Sequence, residues 1–259
     1  MILPDFILLS RSNKFCQFTG IDSYEHCLNK KIFLNYSGTV NYQFNSRGFR
    51  DNEWPCTLED LKKRIWCVGD SFTVGVGSSI DRTWPSVLAK NINRQTINVS
   101  MDGASNNWIF RKTLKILQEI SPDMIVIHWS YVHRSESDDQ SQVDENRRLH
   151  LNLVNLEDMN NPIPDIQRLY NYVSELEKVK KQTVIVHSVI PNFIIESSQS
   201  KNINGHKVTA LVNNLYRLGN WVKEFPTLDW ARDGHHYDIK TAEKFVQEII
   251  AILTSKIDL

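Results

Sequence analysis

The stretch Arg64-Ile-Trp-Cys-Val-Gly-Asp-Ser-Phe-Thr-Val-Gly-Val-Gly77 is a short apolar run closed by glycine, followed by a turn that carries a serine. It reads as a strand feeding a tight strand-to-helix turn. The segment after it, Thr83-Trp-Pro-Ser-Val-Leu-Ala-Lys90, reads as a helix start, because proline is tolerated in a first helical turn. Thr96-Ile-Asn-Val-Ser100 is a second strand. Trp108, Phe110, Leu114, Leu117 and Ile120 form a helical stripe with Ser105 as its cap. Ser121-Pro-Asp123 stops that helix. Met124-Ile-Val-Ile-His-Trp129 is a third strand with almost no alternation, as expected of a strand buried on both faces of a parallel sheet.

The alternation continues toward the C-terminus. Ile166, Leu169, Tyr170, Val173, Leu176 and Val179 share a helical face that leads into a strand at Thr183–Val189. A helix over Val208–Trp221, a short Thr227-Leu228-Asp229 segment and a final helix from Thr241 to about Lys256 complete the chain. Strands alternating with helices predict βαβ units and a three-layer α/β sheet with right-handed crossovers. The charged stretch from Arg134 to Asn161 reads as a surface excursion. Residues 1–60 are a separate N-terminal extension, in which Gly38-Thr-Val-Asn-Tyr-Gln-Phe44 alternates like a hairpin arm and Asn45-Ser-Arg-Gly48 reads as a turn. Residues 61–259 form the α/β domain.

Composition narrows the function classes. The chain has 259 residues and 30 basic against 30 acidic side chains. Zero net charge argues against a dedicated nucleic-acid or acidic-membrane binder. No run reaches the roughly 18 to 20 apolar residues that span a bilayer. The apolar start, Ile2 to Leu9, is broken by Pro4 and Asp5 and has no basic residue ahead of it, unlike a secretory signal. Cys16, Cys27, Cys56 and Cys67 lack C-x-x-C spacing, which fits a reducing, cytoplasmic setting better than disulfides or zinc.

In open α/β sheets, ligands bind outside the carboxyl ends of the strands. The Gly69–Gly77 turn lies at such an end. As a phosphate cradle it fails, because no Gly-Lys-Ser/Thr follows and Gly75-Val-Gly77 lacks the third glycine of a dinucleotide fingerprint. As the home of a nucleophile it needs a base, and the base needs an orienting acid. Asp233-Gly-His-His236 supplies both just before the last helix, since a carboxylate three residues ahead of a histidine can reach its Nδ1 while Nε2 faces a serine elsewhere.

Gly69-Asp70-Ser71 with this downstream Asp-x-x-His resembles the SGNH (GDSL-type) hydrolase superfamily. Phe44-Asn-Ser-Arg-Gly-Phe-Arg-Asp-Asn-Glu53 is similar to the Asn-Ser-x-Gly-Phe-Arg stretch that precedes the nucleophile block in many members. The resemblance covers residues 44 to 256. It implies a flavodoxin-like α/β/α sandwich with a central parallel sheet, and ester hydrolysis through an acyl-enzyme. It also implies Ser71 as nucleophile, His236 as general base, Asp233 as its orienting acid, and the Ser71 and Gly103 N–H groups as an oxyanion hole. A small acyl ester, such as a carbohydrate O-acetyl group, is the implied substrate, and no metal or organic cofactor is needed. The same triad also serves acyl transfer to a sugar hydroxyl, and a non-catalytic carbohydrate-binding descendant is the remaining alternative.

One block departs from the family. The usual Gly-x-Asn-Asp after the third strand is replaced by His128-Trp-Ser-Tyr-Val-His-Arg134, and Val132 falls where the donating asparagine is counted. Ser130 is expected to enter the oxyanion region in its place, with Trp129 and Tyr131 as substrate walls. Arg134 is either an anion-binding group or a partner of Glu136 or Asp138. His128, His133 and His187 match no compact metal motif, and His187 is expected near the site rim. His235 is a wall residue, Trp108 is core, and Asp70 organises the turn. Arg47 and Arg50 are placed to buttress it.

Overall fold

A computed structural model describes residues 6–8, 11–28, 30–36, 39–132, 134, 163–190, 205–223 and 225–255. Its N-terminal part contains β1 (Phe15–Cys16), α1 (Tyr24–Cys27), α2 (Lys31–Asn35), β2 (Tyr42–Gln43) and α3 (Leu58–Lys62). Then come β3 (Ile65–Gly69), α4 (Ser71–Val74), α5 (Trp84–Ile92), β4 (Thr96–Ser100), α6 (Asn106–Glu119), β5 (Met124–Trp129), α7 (Ile163–Val179), β6 (Val184–Val189), α8 (Gly205–Tyr216), β7 (Asn220–Val222) and α9 (Ile239–Thr254).

Among the described residues the main sheet has five strands in the order β4-β3-β5-β6-β7, every neighbouring pair parallel. Counted from β3 this is the 2-1-3-4-5 order of flavodoxin-like folds, with the topological switch at the carboxyl ends of β3 and β5. Alternate strand residues feed two cores. Trp66, Val68, Ile127, Trp129 and Ile185 pack with α6, α7 and α8, while Cys67, Val126, Val186 and Val222 pack with α5 and α9. Both faces are covered, which explains why the strands read as continuous apolar runs.

Several local expectations hold for plain reasons. Ser105 Oγ accepts the Trp108 N–H at the start of α6, and Pro85 sits in the first turn of α5. The Asn45–Gly48 turn closes through Gly48 N–H to Asn45 O at 2.9 Å, with the Asn45 side chain accepting from Arg47 and Phe49. Other boundaries differ. The helix read to Trp221 ends at Tyr216, because Gly219 turns the chain at φ +76° and Trp221 enters β7. The short Thr227–Asp229 segment is tied to the last helix, Asp229 accepting the Lys240 and Thr241 N–H groups at the start of α9. The hairpin arm is also corrected: β2 pairs antiparallel with the distant β1. Gly38, His133, Glu136 and Asp138 lie outside the described residues, as does the rest of the Arg134–Asn161 excursion beyond Arg134 itself.

The N-terminal part also covers the open edge of β4. Asp51 accepts from Asn98 N–H at 2.8 Å and from Trp54 Nε1 at 2.9 Å. Burial raises the Asp51 carboxyl from 3.8 to about 6 even though these N–H groups oppose the shift. Because the folded state binds this proton more tightly than the unfolded chain, Asp51 adds stability as pH falls through about 6 toward 3.8. Asp51→Asn removes that gain. Acidification from pH 7 to pH 4.5 is then expected to cost the variant about 2 kcal/mol more than the wild type, read by urea unfolding at the two pH values. Equal losses in the two proteins would contradict this.

Candidate active site

Ser71 is the first residue of α4, immediately after β3 at the switch point. Asp70 caps this short helix, its Oδ1 accepting Phe72 N–H at 3.0 Å, and Gly75 ends it in the left-handed conformation. The turn therefore holds Ser71 at the carboxyl edge of the sheet. From the loop before α9, His236 Nε2 lies 2.8 Å from Ser71 Oγ, and His236 Nδ1 lies 2.6 Å from Asp233 Oδ2. Asp233 Oδ1 accepts the His235 and His236 backbone N–H groups at 3.0 and 3.1 Å. Burial alone would raise the Asp233 carboxyl, but the His236 ring and these two N–H groups outweigh it and hold it below its ordinary value. Asp233 thus stays a carboxylate through neutral pH. An acceptor-only carboxylate fixes the proton on Nδ1 and leaves Nε2 to accept from the serine hydroxyl.

Gly103 lies in the turn after β4, at φ +78°, a conformation that favours glycine. Neither its N–H nor that of Ser71 finds a hydrogen-bond partner among the described residues. Ser71 follows β3 and Gly103 follows β4, so both lie beyond the carboxyl ends of adjacent parallel strands. Phe72 lies against the base, its ring centroid 4.6 Å from that of His236 and 5.0 Å from that of Tyr237. The Tyr131 ring centroid lies 6.3 Å from that of Phe72, and that of the exposed His235 lies 6.2 Å from it.

Three expectations fail here. Ser130 is fully buried and donates its hydroxyl proton to Asp70 Oδ2 at 2.5 Å, so it has no proton left for an oxyanion. Trp129 is no substrate wall. Alternation along β5 turns it beneath α7, where it is fully buried, stacks on His187 and donates to His187 Nδ1. His187 accordingly sits in the core rather than at the rim, its other nitrogen 3.2 Å from Glu177. Val132, at the counted asparagine position, is also buried.

Arg134 Nη1 is 3.3 Å from Asp70 Oδ2 and 3.2 Å from Ser130 Oγ, with the guanidinium over Tyr131. Asn106, which the sequence did not single out, fixes this block by accepting Ser130 N–H and donating to Tyr131 O. His128 bridges Ser188 Oγ at 2.7 Å and Tyr237 Oη at 2.9 Å, and burial lowers it to about 4, so it is neutral and fully engaged. Among the described residues no three His, Cys, Asp or Glu side chains are grouped to hold a metal ion.

No protein-family model matches the chain, and no curated protein matches it. Among solved structures it is similar to a protein described as lipolytic and of the G-D-S-L family from Desulfitobacterium hafniense (11% identity, TM-score 0.43, covering 73% of this chain and 99% of that one). It is also similar to a carbohydrate acetylesterase family member from Sinorhizobium meliloti (16%, 0.41, 76% and 100%). A third is a Clostridium thermocellum family 3 carbohydrate esterase (14%, 0.47, 74% and 97%). In block order and in the Ser-His-Asp arrangement, the site resembles the SGNH hydrolases. It departs from them at the third block, where the buried Ser130 and Asp70 are hydrogen-bonded to each other and to the partly buried Arg134.

Proposed function

We propose that this chain is a serine esterase that hydrolyses a small acyl ester, with a carbohydrate O-acetyl group as the first candidate substrate by resemblance. The observation that carries the reading is the relay from Ser71 Oγ through His236 to Asp233, with contacts of 2.8 and 2.6 Å. His236 takes the proton as Ser71 attacks the carbonyl carbon. Asp233 stabilises the imidazolium that results. The Ser71 and Gly103 N–H groups receive the negative charge on the carbonyl oxygen, His236 returns its proton to the leaving alcohol, and water then releases the acid from the acyl-enzyme. The partner is a small-molecule or glycan ester, rather than nucleic acid or a membrane. Among the described residues no helix is long and apolar enough to cross a membrane. Four free cysteines, two of them buried, support a reducing, cytoplasmic setting.

The expected result is release of acid from an aryl acetate with saturation kinetics, unchanged by a chelator, because a serine-histidine relay needs no Lewis acid. Loss of turnover in EDTA, restored by one specific metal, would contradict this mechanism. Acetate yield with and without added sugar separates water from a sugar hydroxyl as acceptor.

A further inference from the structure

We propose that Asp22, Tyr42 and Arg50 are positioning residues of this site: they hold the Gly75–Ser78 turn against the Asp233 loop so that Asp233, His236 and Ser71 stay aligned. The proposal rests on the esterase reading. The two loops are in direct contact, side chains of one against the glycine backbone of the other. A Cβ on Gly77 would lie 2.8 Å from Ala231 Cβ and 3.0 Å from Asp233 Cγ, and Arg232 N–H donates to Gly77 O at 3.0 Å. The acid's carboxylate therefore rests on the backbone of the nucleophile turn, and displacement of either loop displaces the other.

The N-terminal residues grip both loops. Tyr42 Oη accepts Gly77 N–H at 2.7 Å and donates to Asp22 Oδ2 at 2.5 Å. Burial, and then the neighbouring Asp22, push the Tyr42 phenol far above its ordinary range, so it keeps its proton. Asp22 in turn receives Arg232 Nε and Nη2 at 3.0 and 2.6 Å, and Arg232 directly precedes Asp233. Arg50, 2% exposed, donates to Val74 O, Gly75 O and Ser78 O, and its guanidinium lies over the Tyr42 ring. Lys30 Nζ adds a bond to Asp233 O at 2.6 Å. Such bidentate and charge-assisted bonds define orientation as well as distance. A misplacement near one ångström costs about a hundredfold in rate.

Tyr42→Phe removes one hydroxyl at constant ring volume, and Asp22→Asn removes the charge facing Arg232. Both are compared with wild type for aryl acetate kinetics, fluorophosphonate labelling rate and near-UV circular dichroism. Folded variants are expected to lose about ten- to a hundredfold in kcat and in labelling rate, with KM within about twofold. Wild-type kcat in the folded variants, or a loss carried by KM, overturns the proposal. Failure of both variants to fold also overturns it, because the residues would then serve the fold alone. A wild type that neither labels nor turns over removes the esterase reading, and this proposal with it.

Discussion

Ser71→Ala and His236→Ala are each expected to lower kcat on a small aryl ester by about a million-fold, and the double variant by hardly more. The serine hydroxyl is a poor nucleophile without a base, and the imidazole has nothing to deprotonate without the serine. Either deletion therefore removes the same step. What remains is the modest assistance of the two backbone donors, which neither substitution touches. Both side chains are almost fully buried, and the side-chain bonds they lose are those of the Ser71–His236–Asp233 relay, so native circular dichroism is expected in each variant. A Ser71→Ala protein that keeps most of its kcat, or losses that simply multiply in the double variant, would contradict the relay.

Asp233→Asn is expected to lower kcat by about ten-thousandfold with little change in KM. The hydrogen-bond pattern gives the reason. If the amide oxygen keeps the His235 and His236 backbone N–H groups that Oδ1 now accepts, the NH₂ group faces His236 Nδ1. Nδ1 must then be the acceptor, which moves the ring proton to Nε2 and points it at Ser71. The shape survives and the tautomer is wrong. The native Asp233 carboxyl is held below its ordinary value by the same contacts, so its contribution is present above that ordinary value and is lost only as pH falls through the lower, folded value. A variant within tenfold of wild-type kcat would show that His236 needs no orienting carboxylate.

The layered fold was legible from the sequence because both faces of the sheet are covered. Apolar runs such as Met124–Trp129 and Ile65–Gly69 have no exposed face and so carry no polar alternation. The grouping of Ser71 with His236 and Asp233 was legible because Ser71 and the Asp233–His236 pair each sit on a local turn whose spacing fixes the side chains. Contacts between distant segments left no such mark. Asp22, Tyr42 and Arg232 are far apart in sequence, and only tertiary packing brings them together. Trp129 and Ser130 were misread for a related reason. A position at a strand's carboxyl end does not state which layer its side chain enters, and the acceptor for Ser130, Asp70, comes from another strand's loop. The paired glycine and carboxylate at Gly77 and Asp233 show the limit well: each is visible as a residue, but their contact is not.

Activation of Ser71 by His236 is the step on which the proposed ester hydrolysis depends. Its most direct measurement is fluorophosphonate labelling followed by peptide mass spectrometry, on wild type, Ser71→Ala and His236→Ala. The expected result is one adduct per chain, on the peptide carrying Ser71, absent in Ser71→Ala and formed at a small fraction of the wild-type rate in His236→Ala. An unlabelled wild type, an adduct on another residue, or labelling of His236→Ala at the wild-type rate would contradict it.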